Sequence, residues 1–167
     1  MARTGGAPLP TITPDSALGG MVIERSLRFN GSDSAYLTRT PSSASNRRTF
    51  TFSCWVKRSD IGRGEYRSMF SARQSSTTNL DYFLWWNTDE VAFSNYNQTD
   101  YNVRTTQKFR DPNAWYHLVL SIDSTQGTAA NRVKMYVNGS EVTDLGQNDY
   151  PSQNHDSYFN NNVLHNI

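Results

Sequence analysis

Alternating apolar and polar residues predict a β-strand in the segment TFTFSCWVK. Phe50, Phe52, Cys54 and Val56 occupy every second position of this segment. Successive side chains of a strand point to opposite sides of the sheet, so these four residues share one face. The pattern therefore predicts a strand over residues 49–57 with one buried face, in which Cys54 is a small apolar core residue and not a reactive thiol.

Two later segments show the same alternation. In the first, WYHLVLSID, Trp115 and His117 fall on the polar face. The second, NRVKMYVNG, ends in Asn138-Gly139, a pair that favours the positive φ angles of a type I′ turn. The two segments are therefore predicted to be strands, with a hairpin after the second one. The residues predicted to point inward are Tyr116, Leu118, Leu120 and Ile122 in WYHLVLSID, and Val133, Met135 and Val137 in NRVKMYVNG.

Shorter apolar runs lie between these strands, in YRSMFSAR, LDYFLWWNT, EVAFSNY and YNVRTT. Loop-forming residues separate them, and short strands at intervals of about 8 to 12 residues are typical of a sandwich or a barrel. No segment has a helical period of comparable strength, and no repeat recurs at a fixed interval. The prediction is an all-β fold built from antiparallel sheets.

The first 22 residues differ in composition from the rest of the chain. Residues 1–22 are rich in Gly, Pro, Thr and Ala without periodicity, so they cannot bury enough apolar surface to fold alone. The domain is predicted to span residues 23–167. We expect the extended N-terminal arm to dock on a partner, which we favour over a terminus without contacts. The residues expected to make that contact are Pro8, Leu9, Pro10, Ile12 and Pro14.

Charge and composition exclude several classes of partner. Lys and Arg number 16 against 15 Asp and Glu, and the net charge of +1 gives no long-range field to hold a nucleic acid. No apolar run approaches the ~20 residues that span a bilayer, and the N-terminus lacks the apolar core of a signal peptide. We therefore expect no nucleic-acid partner, no membrane insertion and synthesis in a reducing cytoplasm.

Aromatic and polar residues cluster in the middle of the chain. Flat rings that stack, together with amides and carboxylates that bind hydroxyl groups, are the composition of a sugar-binding surface. Packing in the core or between subunits is the favoured alternative, because aromatic residues are common in strands and at interfaces. The candidate carbohydrate-binding residues are Trp85, Trp86, Asn87, Asp89, Tyr96 and Tyr101.

Several ordered motifs carry a family resemblance over residues of about 26 to 167. The segments SLRFNGSDSAYLTRT, TFTFSCWVKRS, WYHLVLSIDSTQ and NRVKMYVNGSEV resemble, in order and spacing, the concanavalin A-like lectin/glucanase superfamily. Within it, the laminin G-like jelly rolls of bacteriophage structural proteins are the most similar group. The resemblance implies an antiparallel jelly-roll β-sandwich, whereas function has to be argued from a site.

The same resemblance implies a virion protein made in the host cytoplasm. We expect a jelly roll displayed on a tail fibre or spike, with capsid decoration second, joined through the arm to other virion proteins. The resemblance also implies that copies of the chain form a homo-oligomer, such as a trimer. A host-surface glycan is the other partner implied. The alternative from another class is a free carbohydrate-binding or carbohydrate-cleaving protein.

The chain departs from this family in its last strands. Such domains continue after an H-N-I-G-like segment with two further strands, whereas this sequence ends at Ile167. A sandwich without those strands exposes unpaired edges. We therefore expect either that residues 23–167 are part of a longer product or that a neighbouring subunit completes the sandwich.

The acidic residues do not form the pattern of a glycosidase. Glucanases of this superfamily carry a Glu-x-Asp-x-x-Glu strand, and retaining hydrolysis needs two carboxylates about 5 to 5.5 Å apart. Here Asp89 and Glu90 are adjacent and point to opposite faces, while Asp81 has no partner two or four residues on. We expect no catalytic residue and no enzymatic activity.

The chain also lacks the spacing of a metal site. His117, His155 and His165 do not stand at the intervals of zinc ligands, and no acidic segment is dense enough for calcium. We therefore expect neither a metal ion nor another cofactor.

Overall fold

A computed structural model describes residues 26–30, 33–74, 79–95 and 100–167. The described residues belong to two units, and Tyr36–Ile167 is the second of them. In the first unit, the Asn30 carbonyl accepts a hydrogen bond from Asp33 N–H at 3.2 Å, and the Asn30 side-chain amide donates to the Asp33 carboxylate at 2.6 Å. These two contacts bring Asn30 and Asp33 together.

The second unit consists almost entirely of strands. A single-turn 3-10 helix, Ala129–Asn131, precedes β8, and no helix in the described residues is long and apolar enough to cross a membrane. In the part of the chain that the structure describes, eleven strands are present: β1 Thr38–Arg39, β2 Thr49–Lys57, β3 Arg67–Arg73, β4 Leu80–Trp85, β5 Glu90–Asn95, β6 Asn102–Lys108, β7 Trp115–Asp123, β8 Val133–Val137, β9 Ser140–Glu141, β10 Leu145–Asp149 and β11 Leu164–Asn166.

The strands form two antiparallel sheets. The larger sheet has the strand order β1-β11-β3-β4-β5-β6-β10, and the smaller has the order β2-β7-β8-β9. Strands β2 and β7 pair over nine residues, from Thr49 opposite Asp123 to Lys57 opposite Trp115. The prediction of an all-β antiparallel sandwich is confirmed.

The core lies between the two sheets and follows the alternation of the strands. Inward residues of β7, such as Leu118 and Leu120, are fully buried, and those of β2 pack against the same cluster. Phe159, from the segment before β11, lies among them, with its ring centroid 4.6 Å from that of Phe70 and 5.9 Å from that of Phe50. The faces predicted for β2, β7 and β8 are therefore confirmed.

The seven-stranded sheet buries residues on both of its faces. Leu84, Trp86 and Ala92 form a second apolar cluster, with Tyr82 packed against it. These residues alternate with core residues such as Phe83, so they point away from the smaller sheet. Strands β4 and β5 consequently consist of apolar runs with little alternation, as strands that are buried on both faces do.

Candidate functional site

The structure separates the two adjacent tryptophans that were predicted to bind sugar. Trp85 is 4% exposed and packs in the core, with its ring centroid 5.4 Å from that of Phe109 and 6.4 Å from that of Tyr116. Trp86 points to the opposite face, is 6% exposed and contacts the Tyr66 ring at 4.9 Å. Neither indole is exposed enough to stack on a sugar ring.

Tyr101, which was also predicted to bind sugar, is fully buried in a polar cluster around Asp81. The Tyr101 hydroxyl donates to Asp81 Oδ1, and Asp81 Oδ2 accepts from Ser157 Oγ at 2.6 Å and from Tyr158 N–H at 2.7 Å. Burial raises the pKa of Asp81 above its ordinary value and outweighs the hydrogen bonds, which lower it. The cluster fastens β4 to the segment before β11, which is a structural role.

Asp89, with Asn87 in the same turn after β4, is held by two arginines. The Asp89 carboxylate pairs with Arg58 Nη1 and Arg110 Nε, each at 2.8 Å, and accepts a hydrogen bond from Gly62 N–H at 3.1 Å. Burial by itself raises the pKa of Asp89, but the Gly62 hydrogen bond and the arginine charges bring it below its ordinary value. This carboxylate is satisfied within the protein and does not face a ligand.

The remaining predicted site residues lie outside the described residues. They are Tyr96 and the arm residues Pro8, Leu9, Pro10, Ile12 and Pro14. The described members of the predicted carbohydrate site occupy both faces of the larger sheet and one turn. The burial of Trp85, Trp86, Asp89 and Tyr101 corrects the expectation of one sugar-binding surface and agrees with packing in the core, the favoured alternative.

A different pair of tryptophans is exposed, on the outer face of the smaller sheet. Trp55 of β2 is 52% exposed and Trp115 of β7 is 49% exposed. The strand register sets Trp55 opposite His117 and Lys57 opposite Trp115, so the two indoles are diagonal neighbours. Diagonal neighbours on antiparallel strands lie about 7–8 Å apart, within reach of long aromatic side chains. The two rings therefore form one exposed aromatic surface.

Polar contacts fix the residues beside the two indoles. The His117 ring stacks on Trp55 with centroids 5.1 Å apart and planes at 23°, and His117 Nε2 lies 2.9 Å from Ser53 Oγ. Asn138 Oδ1 accepts a hydrogen bond from His117 N–H at 2.9 Å, and Asn138 N–H donates to His117 O at 2.8 Å. These contacts hold the imidazole and the turn in one orientation.

The turn after β8 has the geometry that its sequence predicts. Asn138 and Gly139 have φ angles of 51° and 84°, the positive values required at the centre of a type I′ turn. Together with the indoles and the imidazole they line a cavity of about 450 Å³. We call this set of residues the tryptophan platform: Trp55, Trp115, His117, Asn138 and Gly139.

The tryptophan platform combines flat apolar rings with hydrogen-bonding groups. An indole presents an apolar face and one N–H donor, and the Asn138 side chain retains its NH₂ group once Oδ1 has accepted from His117 N–H. This is the composition of a site that stacks on a sugar ring and binds its hydroxyl groups. Within the described residues, no group of three His, Cys, Asp or Glu side chains could hold a metal ion.

The sequence contains a signal for this site in the position of two tryptophans on polar strand faces. Alternation placed Trp55 opposite the apolar face of its strand, and Trp115 opposite the apolar face of another. A tryptophan on a polar face is unusual, because so large a ring is normally buried in the core. Only the pairing of β2 with β7 shows that the two rings are neighbours.

The two antiparallel sheets form a β-sandwich whose smaller sheet carries an exposed aromatic cavity. Residues 29–162 match the laminin G-like model of the family described as the concanavalin A-like lectin/glucanases superfamily, and the chain belongs to that superfamily. No curated protein and no solved structure matches the chain. The resemblance is thus confirmed for the superfamily, while the bacteriophage group within it stays a prediction.

Proposed function

We propose that the protein is a non-enzymatic glycan-binding protein of a bacteriophage particle and that the tryptophan platform is its glycan site. The observation that carries the glycan site is the pairing of Trp55 and Trp115, both about half exposed on one sheet face. Exposing two indoles to water is unfavourable, so an adjacent pair indicates a surface that a ligand covers. Sugar rings have the flat apolar faces that such a surface accepts.

The surroundings of the carboxylates support a binding role without catalysis. Among the residues that the structure describes, those that line the cavity at the tryptophan platform include no Asp or Glu. Asp89 of the earlier candidate site, and Asp81, which binds Tyr101 of that site, are engaged by hydrogen bonds and ion pairs inside the protein. Glycoside hydrolysis uses two carboxylates that flank the bond to be cleaved. We therefore propose retention of the glycan and not its cleavage.

The virion part of the proposal depends on the order of the sequence motifs. A jelly roll on a tail fibre or spike, present in several copies as a homo-oligomer such as a trimer, converts weak glycan contacts into firm attachment through effective concentration. The arm, residues 1–22, joins it to other virion proteins. Capsid decoration is the second location that the motifs suggest, and a free carbohydrate-binding protein is the alternative outside the particle.

A glycan array tests the site directly. We expect the wild-type protein to bind one group of glycans, and Trp55→Ala and Trp115→Ala each to weaken that binding at least about tenfold, as loss of a central aromatic contact does. Tyr36→Ala is the matched control, because Tyr36 is 67% exposed and lies outside the tryptophan platform. Unchanged binding in both tryptophan variants would assign the glycan to another surface.

The same variants distinguish a glycan site from a subunit interface. Sedimentation of the wild-type protein and of Trp55→Ala measures the oligomeric state. If the array shows no binding and Trp55→Ala dissociates an oligomer, the tryptophan platform packs between subunits. An unchanged oligomer together with lost glycan binding is the result that the proposal expects.

Quantitative mass spectrometry of gradient-purified particles tests the virion location. A dozen to a few dozen copies per particle support a tail fibre or spike, and hundreds support capsid decoration. If particles contain no copies, the virion part fails, whereas the glycan site is tested independently by the array.

A further inference from the structure

A second cavity adjoins the tryptophan platform at the turn between β8 and β9. Its volume is about 460 Å³, and Asn138 lines both cavities. One wall is the end of β6, with Thr106 and Gln107, and the other is the segment 140–144. Each cavity falls within the range of about 300–1,000 Å³ that small-ligand sites occupy. We call the second cavity the polar groove.

Hydrogen bonds to neighbouring strands fix both walls of the polar groove. Thr106 N–H donates to Asp144 O at 3.3 Å, and Thr106 Oγ1 donates to Asp144 Oδ2 at 2.7 Å. Val142 N–H donates to Met135 O at 2.9 Å, which fixes the other wall to β8. The groove is therefore formed before any ligand enters, and a ligand does not have to order its walls.

The tryptophan platform and the polar groove meet at Asn138, which lines both. Trp55 of β2 is opposite His117 of β7, and His117 is hydrogen-bonded to Asn138 at the end of β8. Adjacent strands are about 4.8 Å apart, so the path from Trp55 to Asn138 is about 10 Å long. The polar groove begins where this path ends. A single sugar ring on the two indoles does not reach it, whereas a chain of several sugars does.

The residues of the polar groove indicate the charge of the ligand. Hydroxyl and amide groups of Gln107, Ser140 and Thr143 suit the hydroxyl groups of a sugar. Glu141 and Asp144 are the charged residues that line the groove, and Glu141 Oε1 is 3.2 Å from Lys134 Nζ. A carboxylate or sulfate on the ligand would meet like charge there, which costs affinity.

We infer that the ligand is a neutral oligosaccharide of several sugars, which stacks on the tryptophan platform and continues past Asn138 into the polar groove. This inference rests on the proposed glycan site and adds the length and charge of the glycan. A monosaccharide occupies the aromatic part alone. Anionic glycans, such as sialylated or sulfated chains, are disfavoured.

Calorimetry with a length series tests the inference. The probes are the mono- to hexasaccharide members of the neutral glycan that gives the strongest array signal, and a uronate-containing chain of the same length. We expect affinity to rise at least tenfold from the monosaccharide to the tetrasaccharide and the uronate chain to bind more weakly than the neutral one. Glu141→Gln should reduce that difference.

Two groove variants separate this inference from the proposed function. Gln107→Ala and Thr143→Ala, both at exposed positions, should weaken hexasaccharide binding about three- to tenfold, the loss expected for one net hydrogen bond, and leave disaccharide binding unchanged. Thr51→Ala, at an exposed position of β2 outside both cavities, is the control.

The outcomes distinguish the two claims. Binding that depends on Trp55 but is independent of chain length, or is unaffected by both groove variants, would overturn the inference and leave the glycan site intact. Binding that is indifferent to both Trp55→Ala and Trp115→Ala would overturn the proposed glycan site itself. Preference for the anionic chain would refute the assignment of a neutral ligand.

Discussion

Adjacent residues of β2 face opposite environments. Cys54 points into the core, and Trp55 points to solvent on the other side of the sheet. Burial raises the pKa of the Cys54 thiol to about 11, because the charged thiolate is poorly solvated there. The thiolate is the reactive form of cysteine, so the position of Cys54 within the sandwich suppresses its chemistry.

The first prediction concerns alkylation of this thiol. At pH 8, about one thiol in a thousand is ionised when its pKa is three units higher. We expect iodoacetamide to label Cys54 in the native protein at least about a hundredfold more slowly than in urea-unfolded protein. Mass spectrometry of timed samples measures both rates, and native labelling as fast as unfolded labelling would show that Cys54 is accessible.

At the scale of elements, Asp89 joins its own turn between β4 and β5 to two other loops. Its carboxylate binds Arg58 after β2, the Gly62 N–H before β3 and Arg110 after β6. The guanidinium of Arg58 also lies 5.2 Å from the centroid of the Trp85 ring, which connects this cluster to the core. Removing one member of a buried ion pair is strongly destabilising, because the other charge stays buried without its partner.

The second prediction is the effect of Asp89→Asn on stability and on its pH dependence. Removing the charge leaves Arg58 buried without its counter-ion, so we expect a loss of about 3–5 kcal/mol in the free energy of unfolding at pH 7. The pKa of Asp89 is lower in the folded protein than in the unfolded chain, so its stabilisation is present above about pH 4 and is lost as the pH falls through the folded value.

Urea unfolding of both proteins between pH 7 and pH 2 measures this effect. The difference between wild type and Asp89→Asn should shrink as the pH falls, because protonation removes the same charge. Asp149→Asn, at an exposed position of β10, is the control and should change stability by less than about 0.5 kcal/mol. A constant difference across the pH range would contradict the assigned pKa direction.

The elements also show which parts of the fold the sequence could predict. Strands β2, β7 and β8 have one buried face, so their alternation predicted both the strands and the residues that point inward. Strands β4 and β5 are buried on both faces, so exposure could not be read from their aromatic residues. That is why the choice between sugar binding and packing for Trp85 and Trp86 stayed open until the structure showed both rings buried.

The true neighbours on the surface could not be predicted for a different reason. Trp55 and Trp115 are 60 residues apart in the chain and meet only through the pairing of β2 with β7. Alternation within a strand determines which face a side chain occupies, but it contains no information about the register between distant strands. The face of each tryptophan was predictable, and their proximity was not.

At the scale of the whole molecule, the four tryptophans divide into a buried pair and an exposed pair. Trp85 and Trp86 are buried on the two faces of the larger sheet, and Trp55 and Trp115 are exposed on the smaller one. The third prediction follows from this division. Trp85→Ala should lower the free energy of unfolding by about 3–5 kcal/mol, as removal of a buried aromatic side chain does, whereas Trp55→Ala should lower it by less than about 1 kcal/mol.

Urea denaturation of the two variants at neutral pH measures this difference. Glycan binding should show the opposite order. Trp55→Ala should bind the glycan weakly although it remains folded. A Trp55→Ala variant as unstable as Trp85→Ala would mean that the exposed ring is part of the structural core, and its effect on binding could then not be assigned to the ligand.

The orientation of β2 gives the protein a built-in reporter of ligand occupancy. Cys54 is the chain's one cysteine, and its thiol is part-buried and becomes fully accessible when the sandwich opens, while its neighbour Trp55 contacts the proposed ligand. A ligand that binds only the closed form suppresses opening by the factor 1 + [L]/Kd. The rate of thiol modification, followed against ligand concentration, therefore yields a dissociation constant from the unmodified natural chain, without a dye, a tag or an immobilised partner.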